Sequence, residues 1–182
     1  MSQEKRSRLS PSLLARKILC PAYVPAPFGQ DNRVKFLGFH AMATVKVISR
    51  HLKLGYALKG VEQSGPGYRI DLLFESPSGI RRLAEVKSAK KIREIHRLQA
   101  ALYHHHNLSN EIVVSNGDTD EVLDPEFIFE TRRRAEITRK VLTDTPEMAA
   151  QIYVPNGDTC YTCGNSRCPF QSPRSTEVIS PK

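Results

Sequence analysis

Three charged residues lie in two segments whose other residues are typical of buried strands. The segment "YRIDLLFE" contains Asp71, and "IRRLAEVKSA", which follows the turn "SPSG", contains Glu85 and Lys87. A buried charge is costly unless it is paired or holds a metal, so the pattern indicates a site. Side chains alternate along a strand, and Glu85 and Lys87 therefore share a face. If the two strands form a hairpin about the turn, Asp71 meets Glu85 near the strand ends.

Two carboxylates at one point offer the hard oxygen ligands that Mg²⁺ and Mn²⁺ prefer. The main-chain carbonyl of Val86 is a further candidate ligand. A lysine beside such an ion can orient an attacking water and offset the charge of a phosphoryl transition state. Asp71, Glu85 and Lys87 thus predict phosphodiester hydrolysis. The alternative is that the three are ordinary charges on a half-solvated sheet edge.

Two polar residues follow on the next predicted helix. Gln99 and Tyr103 in "QAALY" are four residues apart and so lie on one helical face. They are candidates to position Lys87 and to contact a DNA phosphate, although the same spacing is common on helices without such a role. We expect the three histidines at positions 104 to 106 to be exposed or to interact with the helix C-terminus.

Four cysteines form a second candidate site. Cys160, Cys163 and Cys168 give the pattern C-x₂-C-x₄-C, and Cys20 lies near the other end of the chain. Clustered thiolates suit a tetrahedral Zn²⁺ or an iron–sulfur cluster, and the spacing does not decide between them. Cys20 is the only cysteine left as a fourth ligand. A closed site would therefore join the two ends of the chain.

The charge balance favours a polyanionic partner. Lys and Arg number 27 against 19 Asp and Glu, a formal net charge of +8, which is typical of proteins that bind nucleic acid. The segment "KSAKKIREIHR", with Lys90, Lys91, Arg93 and Arg97 next to Lys87, predicts salt-dependent phosphate contacts. For "TRRRAEITRK" we favour a solvated helix face.

The sequence has neither a membrane-spanning run nor a clean signal peptide, so we expect a cytoplasmic protein without a membrane partner. In that compartment four cysteines favour metal or redox chemistry over disulfides.

The predicted elements are a helix, three strands, a helix, a strand and a further helix, which indicates one α/β domain over residues 1–182 with a mixed central sheet flanked by helices. A short first helix begins at Ser10 and Pro11, and a late helix begins at Asp124 and Pro125. Between them, "YVPAPFGQDN" is predicted as a loop. Residues 34 to 54 are predicted as a buried helix, from apolar residues at near-helical spacing: Phe36, Phe39, Ala43, Val47, Ile48 and Leu52.

Asp71, the triplet "EVK" and the Gln99–Tyr103 pair together resemble the RecB-like branch of the PD-(D/E)XK nucleases, over residues 34 to 115. The resemblance implies a restriction-endonuclease-like core. It also implies that a histidine on the helix before the first strand joins the two carboxylates and the Val86 carbonyl around Mg²⁺ or Mn²⁺. His40 in "GFH" is the preferred ligand, and His51, three turns later, is the alternative.

With the cysteines included, the chain resembles the fourth CRISPR-associated protein family, nucleases that carry a [4Fe–4S] cluster. The resemblance implies that Cys20, Cys160, Cys163 and Cys168 hold the cluster. It also implies a DNA exonuclease acting on single-stranded ends in spacer acquisition, in company with the CRISPR integrase complex. A stand-alone viral or host repair nuclease would share these features. The competing prediction is a non-catalytic nucleic-acid-binding module with a structural zinc site.

Overall fold

The computed structural model describes residues 9–26, 30–65, 68–103 and 109–170; for 30–36 and 161 only the backbone is described. The histidines at 104 to 106 lie outside these residues. In chain order the elements are α1 (Pro11–Leu19), α2 (Gln30–Lys53), β1 (Ala57–Gly65), β2 (Tyr68–Glu75), β3 (Arg81–Val86), α3 (Glu94–Leu102), β4 (Glu111–Ser115), β5 (Asp120–Val122), α4 (Pro125–Asp144), α5 (Pro146–Ala149) and a 3₁₀ turn (Cys160–Thr162).

The described strands form one mixed sheet in the order β1-β2-β3-β4-β5. Neighbours are antiparallel except β3 and β4, which are parallel and are connected through α3, as a parallel pair requires a crossover. The β2–β3 hairpin closes at Gly79, whose φ of 82° suits glycine. The predicted α/β architecture with a mixed sheet flanked by helices is confirmed, whereas the short strand β5 was not predicted.

Apolar residues cover both faces of this sheet. One cluster packs α3 against the strands through Ile70, Leu83 and Ala101, and the other packs α2 against them through Val47 and Phe74. Burial of these side chains supplies the main stabilisation of the three layers. None of the described helices is both long and apolar enough to cross a membrane.

Two helices begin where the sequence predicts. The Ser10 hydroxyl accepts a hydrogen bond from Leu13 N at 3.3 Å at the start of α1. At the start of α4, the Asp124 carboxylate accepts from Glu126 N at 2.7 Å. Each side chain satisfies an amide that has no partner within its helix.

The prediction for α2 was wrong in two respects. The helix begins at Gln30, within the stretch predicted as a loop. It is also not buried along its length, because Phe39 is 63% exposed and Leu52 50%. The buried residues Ala43, Val47 and His51 are spaced four apart and form one narrow stripe. The other apolar positions lie outside that stripe.

Candidate active site and cysteine pocket

Strand β2 is irregular at Asp71. Ile70 packs in the cluster under α3, whereas Leu72 packs in the cluster under α2. Residues two apart in a regular strand share a face, so the strand changes its facing around Asp71. Strand β1 pairs with β2 at Val61–Leu72 and at Gln63–Ile70, but the residues between them, Glu62 and Asp71, are not paired. Glu62 has a φ of 47°, a left-handed conformation that is costly for a residue with a side chain.

The two carboxylates lie side by side. The β2–β3 ladder runs up to the pair Leu72–Ala84, and continuing that register by one residue places Asp71 opposite Glu85. The Asp71 Oδ2 atom accepts a hydrogen bond from the backbone N–H of Val86 at 2.7 Å. Of the four residues expected to share an ion, Asp71, Glu85 and Val86 thus lie on adjacent strands, and Val86 contacts Asp71 through its amide and not through the carbonyl expected as a ligand.

Glu85 is the centre of a buried hydrogen-bonded cluster. Its side chain is 2% exposed, and its Oε1 atom accepts hydrogen bonds from Lys87 Nζ and, at 2.7 Å, from Gln99 Nε2. The amide oxygen of Gln99 in turn accepts from Lys87 Nζ at 3.0 Å. Among the described residues the second carboxylate oxygen of Glu85 has no hydrogen-bond partner. Lys87 and Gln99 therefore bond the same oxygen; the Tyr103 hydroxyl is near enough to the carboxylate to lower its pKa but forms no hydrogen bond with the second oxygen.

The pKa of Glu85 reflects this burial. Loss of solvation raises the pKa of the Glu85 carboxyl to about 7; the Lys87 ammonium acts in the opposite direction and the charge of Asp71 adds to the rise. Tyr103, at the end of the cluster, has its hydroxyl 3.4 Å from Gln99 Nε2. Burial, and next the charge of Glu85, raises the pKa of Tyr103 above its ordinary value, so the phenol keeps its proton.

The two candidate histidines have different surroundings. The Nε2 atom of His40 lies 3.8 Å from Asp71 Oδ1, with its side chain 19% exposed. His51 is fully buried, donates from Nδ1 to the Val47 carbonyl at 3.0 Å and stacks on Phe74. Burial lowers the pKa of His51, which keeps the ring neutral in the core. Of the two candidates, only His40 is placed beside Asp71.

The donor atoms at this position suit a divalent ion, although they do not form a complete coordination shell. Carboxylate oxygens and an imidazole are suitable ligands, and the unpartnered buried oxygen of Glu85 is of the kind that a cation would satisfy. As the side chains stand, no three described His, Cys, Asp or Glu residues are arranged so that they could hold a metal ion. The four cysteines, all of them described, are likewise not arranged so that they could hold a metal ion.

The four cysteines nevertheless line one pocket. Cys20, Cys160, Cys163 and Cys168 are all described, and none of them forms a disulfide. The pocket wall is completed by Tyr23, Val154 and Thr159. Thiolates are suitable donors for zinc or an iron–sulfur cluster, so the residue types match the predicted cofactor site.

Backbone hydrogen bonds join the chain segments that carry these cysteines. Gly164 N donates to the Val24 carbonyl at 2.7 Å, and Ala26 N donates to the Thr162 carbonyl at 3.1 Å. A Cβ at Gly164 would lie 3.0 Å from the Ala26 backbone, so the close approach favours glycine. The predicted meeting of the two cysteine-bearing segments is therefore present in the fold.

The basic residues after Lys87 are of two kinds. Lys90, Lys91 and Arg93 are exposed, as phosphate-binding residues must be. Arg97 instead forms two hydrogen bonds with the Glu121 carboxylate, at 2.5 and 3.0 Å. The structure thus places Arg97 in an ion pair and Arg93 4.0 Å from the Asp158 carboxylate, whereas Lys90 and Lys91 are exposed shortly after Lys87 in the chain.

Two residues that the sequence did not single out lie between the sites. His96 accepts a hydrogen bond at Nδ1 from Arg93 N at 3.2 Å. Burial, followed by the charges of Lys87 and Arg93, lowers the pKa of His96 to about 4. Asp158, in the cysteine-bearing segment, contacts the first turn of α3. Neither belongs to a motif, so only the fold could reveal them.

Comparisons with protein-family models, with curated proteins and with solved structures give no match for this chain. The geometry offers two carboxylates on neighbouring inner strands of the sheet, with a lysine and a carboxamide in one hydrogen-bonded cluster. Exposed basic residues follow the lysine in the chain.

Proposed function

We propose that the chain is a divalent-metal-dependent DNA exonuclease that hydrolyses phosphodiester bonds at single-stranded ends. The observation that carries the proposal is the Asp71–Glu85 pair, hydrogen-bonded with Lys87 and Gln99 and retaining one unpartnered buried carboxylate oxygen. The order of these residues and the mixed sheet support the sequence resemblance to RecB-like PD-(D/E)XK nucleases.

In this proposal Asp71, Glu85, His40 and the carbonyl of Val86 hold Mg²⁺ or Mn²⁺. Such an ion would supply Lewis acidity and make water a stronger nucleophile near neutral pH. Ligation by Glu85 requires the ionised carboxylate, which its pKa of about 7 makes available above neutral pH.

The chain's own residues then position the substrate and offset its charge. The ammonium of Lys87 orients the attacking water and stabilises the negative charge that develops on the phosphate. Gln99 keeps Lys87 in place, because its carboxamide bonds Lys87 with one atom and Glu85 with the other. Tyr103 is 4% exposed, so its protonated hydroxyl steadies Gln99 and Glu85 and does not reach a DNA phosphate. Lys90, Lys91 and Arg93 attract the DNA backbone without regard to sequence.

We assign the cysteine pocket to a [4Fe–4S] cluster. The support is that all four cysteines line one pocket in which the chain's two cysteine-bearing segments meet. The cluster would clamp these segments, and the resemblance adds a cytoplasmic role in CRISPR spacer acquisition with the integrase complex. A stand-alone viral or host repair nuclease remains the second biological setting.

A cleavage assay tests the enzyme claim. Labelled single-stranded DNA is incubated with purified protein and Mn²⁺, and a parallel reaction contains chelator instead. We expect progressive shortening that needs the metal, and a loss of about a hundredfold or more in Asp71→Ala and Lys87→Ala. Glu130→Ala, which removes an exposed carboxylate on α4, is the matched control and should cleave normally. Equal cutting by wild type and Asp71→Ala would refute the assignment.

Colour separates the two candidate cofactors. Protein purified without oxygen should be brown and contain iron and sulfide. A colourless protein that contains zinc and does not cleave DNA would instead support the non-catalytic nucleic-acid-binding module.

A further inference from the structure

A tight turn surrounds one of the pocket cysteines. Thr159 N and Cys160 N both donate to the carbonyl of Asn156, at 3.2 and 3.0 Å. The backbone N–H of Asn156 donates a hydrogen bond to the Cys160 sulfur at 3.3 Å. Asp158 N is held at 2.7 Å by the side-chain oxygen of Asn156. The turn at Asn156 therefore positions both Cys160 and Asp158.

The carboxylate of Asp158 contacts the N-terminus of α3. Its Oδ2 atom accepts a hydrogen bond from Ile95 N, in the first turn of the helix, at 3.4 Å. Its Oδ1 atom lies 4.0 Å from the Arg93 guanidinium. The first amides of a helix lack partners within the helix, and the residue before α3, Arg93, has no side-chain acceptor to offer them. Asp158 supplies that acceptor from a distant segment, and its negative charge suits the helix N-terminus.

The same helix carries Gln99, one turn beyond Ile95. Gln99 is the residue that bonds both Lys87 and Glu85. Helix α3 has nine residues, and helices of this length are marginal without external contacts. Core packing through Ile95, Leu98 and Leu102 holds the body of the helix, and the order of its first turn adds to how firmly Gln99 is held against the lysine and the carboxylate.

We propose that Asp158 is a positioning residue for the candidate active site: it caps α3 from the cysteine-bearing segment and so holds Gln99 against Lys87 and Glu85. The catalytic meaning of this link rests on the proposed function. The link itself is a property of the fold and can be measured without cleavage.

The test compares the full-length variants Asp158→Ala and Asp158→Asn with wild type, and Glu130→Ala serves as a control that removes an exposed carboxylate elsewhere. Amide hydrogen exchange reports on the first turn of α3, and the side-chain amide resonances of Gln99 report on its bonds. In Asp158→Ala we expect exchange at Ile95 and the following amides to rise roughly fivefold, as for loss of a helix cap. The Gln99 resonances should shift as its hydrogen bonds weaken.

The conservative variant separates positioning from general damage. Asn caps helices about as well as Asp, so Asp158→Asn should keep slow exchange and the wild-type Gln99 resonances. If Asp158→Ala does not fold, Asp158→Ser replaces it, because the shorter side chain does not span the distance to Ile95 N. Glu130→Ala should match wild type throughout.

Cleavage of single-stranded DNA with Mn²⁺ then measures the consequence. We expect Asp158→Ala to lower kcat roughly fivefold with little change in KM, and to add little to Gln99→Ala in the double variant, since both act through one contact. Unchanged exchange and unchanged Gln99 resonances in Asp158→Ala would overturn the proposal. If wild type does not cleave while these two signals still change, the proposed function fails and the link stands.

Discussion

The carboxylate–lysine cluster and the cysteine pocket are assembled by different means. Residues of the cluster lie on adjacent strands and the following helix, and the Val86 N–H bonds the Asp71 carboxylate just beyond the last ladder pair, Leu72–Ala84. Residues of the pocket come from the two ends of the described chain, which meet through a few backbone hydrogen bonds. The cluster contains buried charges that bond one another, whereas the pocket contains thiols beside apolar side chains. The cluster therefore depends on the sheet and on α3, while the pocket has most to gain from an occupant.

The largest effect should come from emptying the pocket. Cys20→Ser removes one ligand of the proposed cluster, and the loss of that group should lower the free energy of unfolding by about 3 kcal/mol. Thermal or urea unfolding of anaerobic wild type and variant measures this. Mn²⁺ binding at the carboxylates should weaken but survive, because Asp71 and Glu85 lie on the sheet and the cysteine-bearing segment reaches them only through α3. Complete loss of Mn²⁺ binding in Cys20→Ser would contradict this.

A second, smaller effect is expected from Lys87→Ala, which leaves Glu85 buried without its cationic partner. At pH 8 the variant should lose about 2 kcal/mol of stability. The folded-state pKa of Glu85 is raised to about 7. The stability that this group contributes is therefore fully present below its unfolded pKa near 4.5 and is lost as the pH rises through 7. The difference between variant and wild type should therefore shrink at pH 5. Denaturant unfolding at the two pH values gives the comparison, and a pH-independent difference would contradict it.

His96, which follows Ile95 on α3, should determine part of the loss of protein stability at acid pH. Its pKa is lowered to about 4 in the folded protein, so its contribution is present above the unfolded pKa near 6.5 and is lost as the pH falls through 4. His96→Gln should flatten the fall in melting temperature over that interval. If the melting temperature of His96→Gln falls as steeply with decreasing pH as that of wild type, His96 is not held neutral.

The smallest effect concerns the irregular strand position. Glu62→Gly relieves the left-handed φ of 47° and should leave stability unchanged or raise it by about 0.5 kcal/mol. Gln63→Gly, at the next and regularly paired position of β1, is the control and should be destabilising. Equal destabilisation by both substitutions, measured by urea unfolding, would show that Glu62 is not strained.

Much of the cluster followed from the sequence because strands impose simple rules. The "SPSG" turn and the alternation of side chains were enough to predict that Asp71 and Glu85 meet. The choice between His40 and His51 required the fold, because both lie on one helix and only tertiary packing shows that His51 stacks on Phe74. The exposure of Phe39 and Leu52 was missed because helical spacing shows where apolar residues lie, not which of them find a partner.

The pocket and its connection to α3 were less accessible to prediction. The spacing of Cys160, Cys163 and Cys168 indicated a site, but the contact from Asp158 to Ile95 depends on a turn packed against a helix far away in the chain. No local pattern encodes such a contact.

Binding of Mn²⁺ is the most direct test of the central claim that Asp71 and Glu85 share a divalent ion. Electron paramagnetic resonance measures free Mn²⁺ during titration of wild type, Asp71→Asn, Glu85→Gln and Glu130→Ala. The account predicts saturable binding by wild type and Glu130→Ala that is lost in the other two variants. Wild-type protein that binds no Mn²⁺, or binding that persists in both Asp71→Asn and Glu85→Gln, would contradict it.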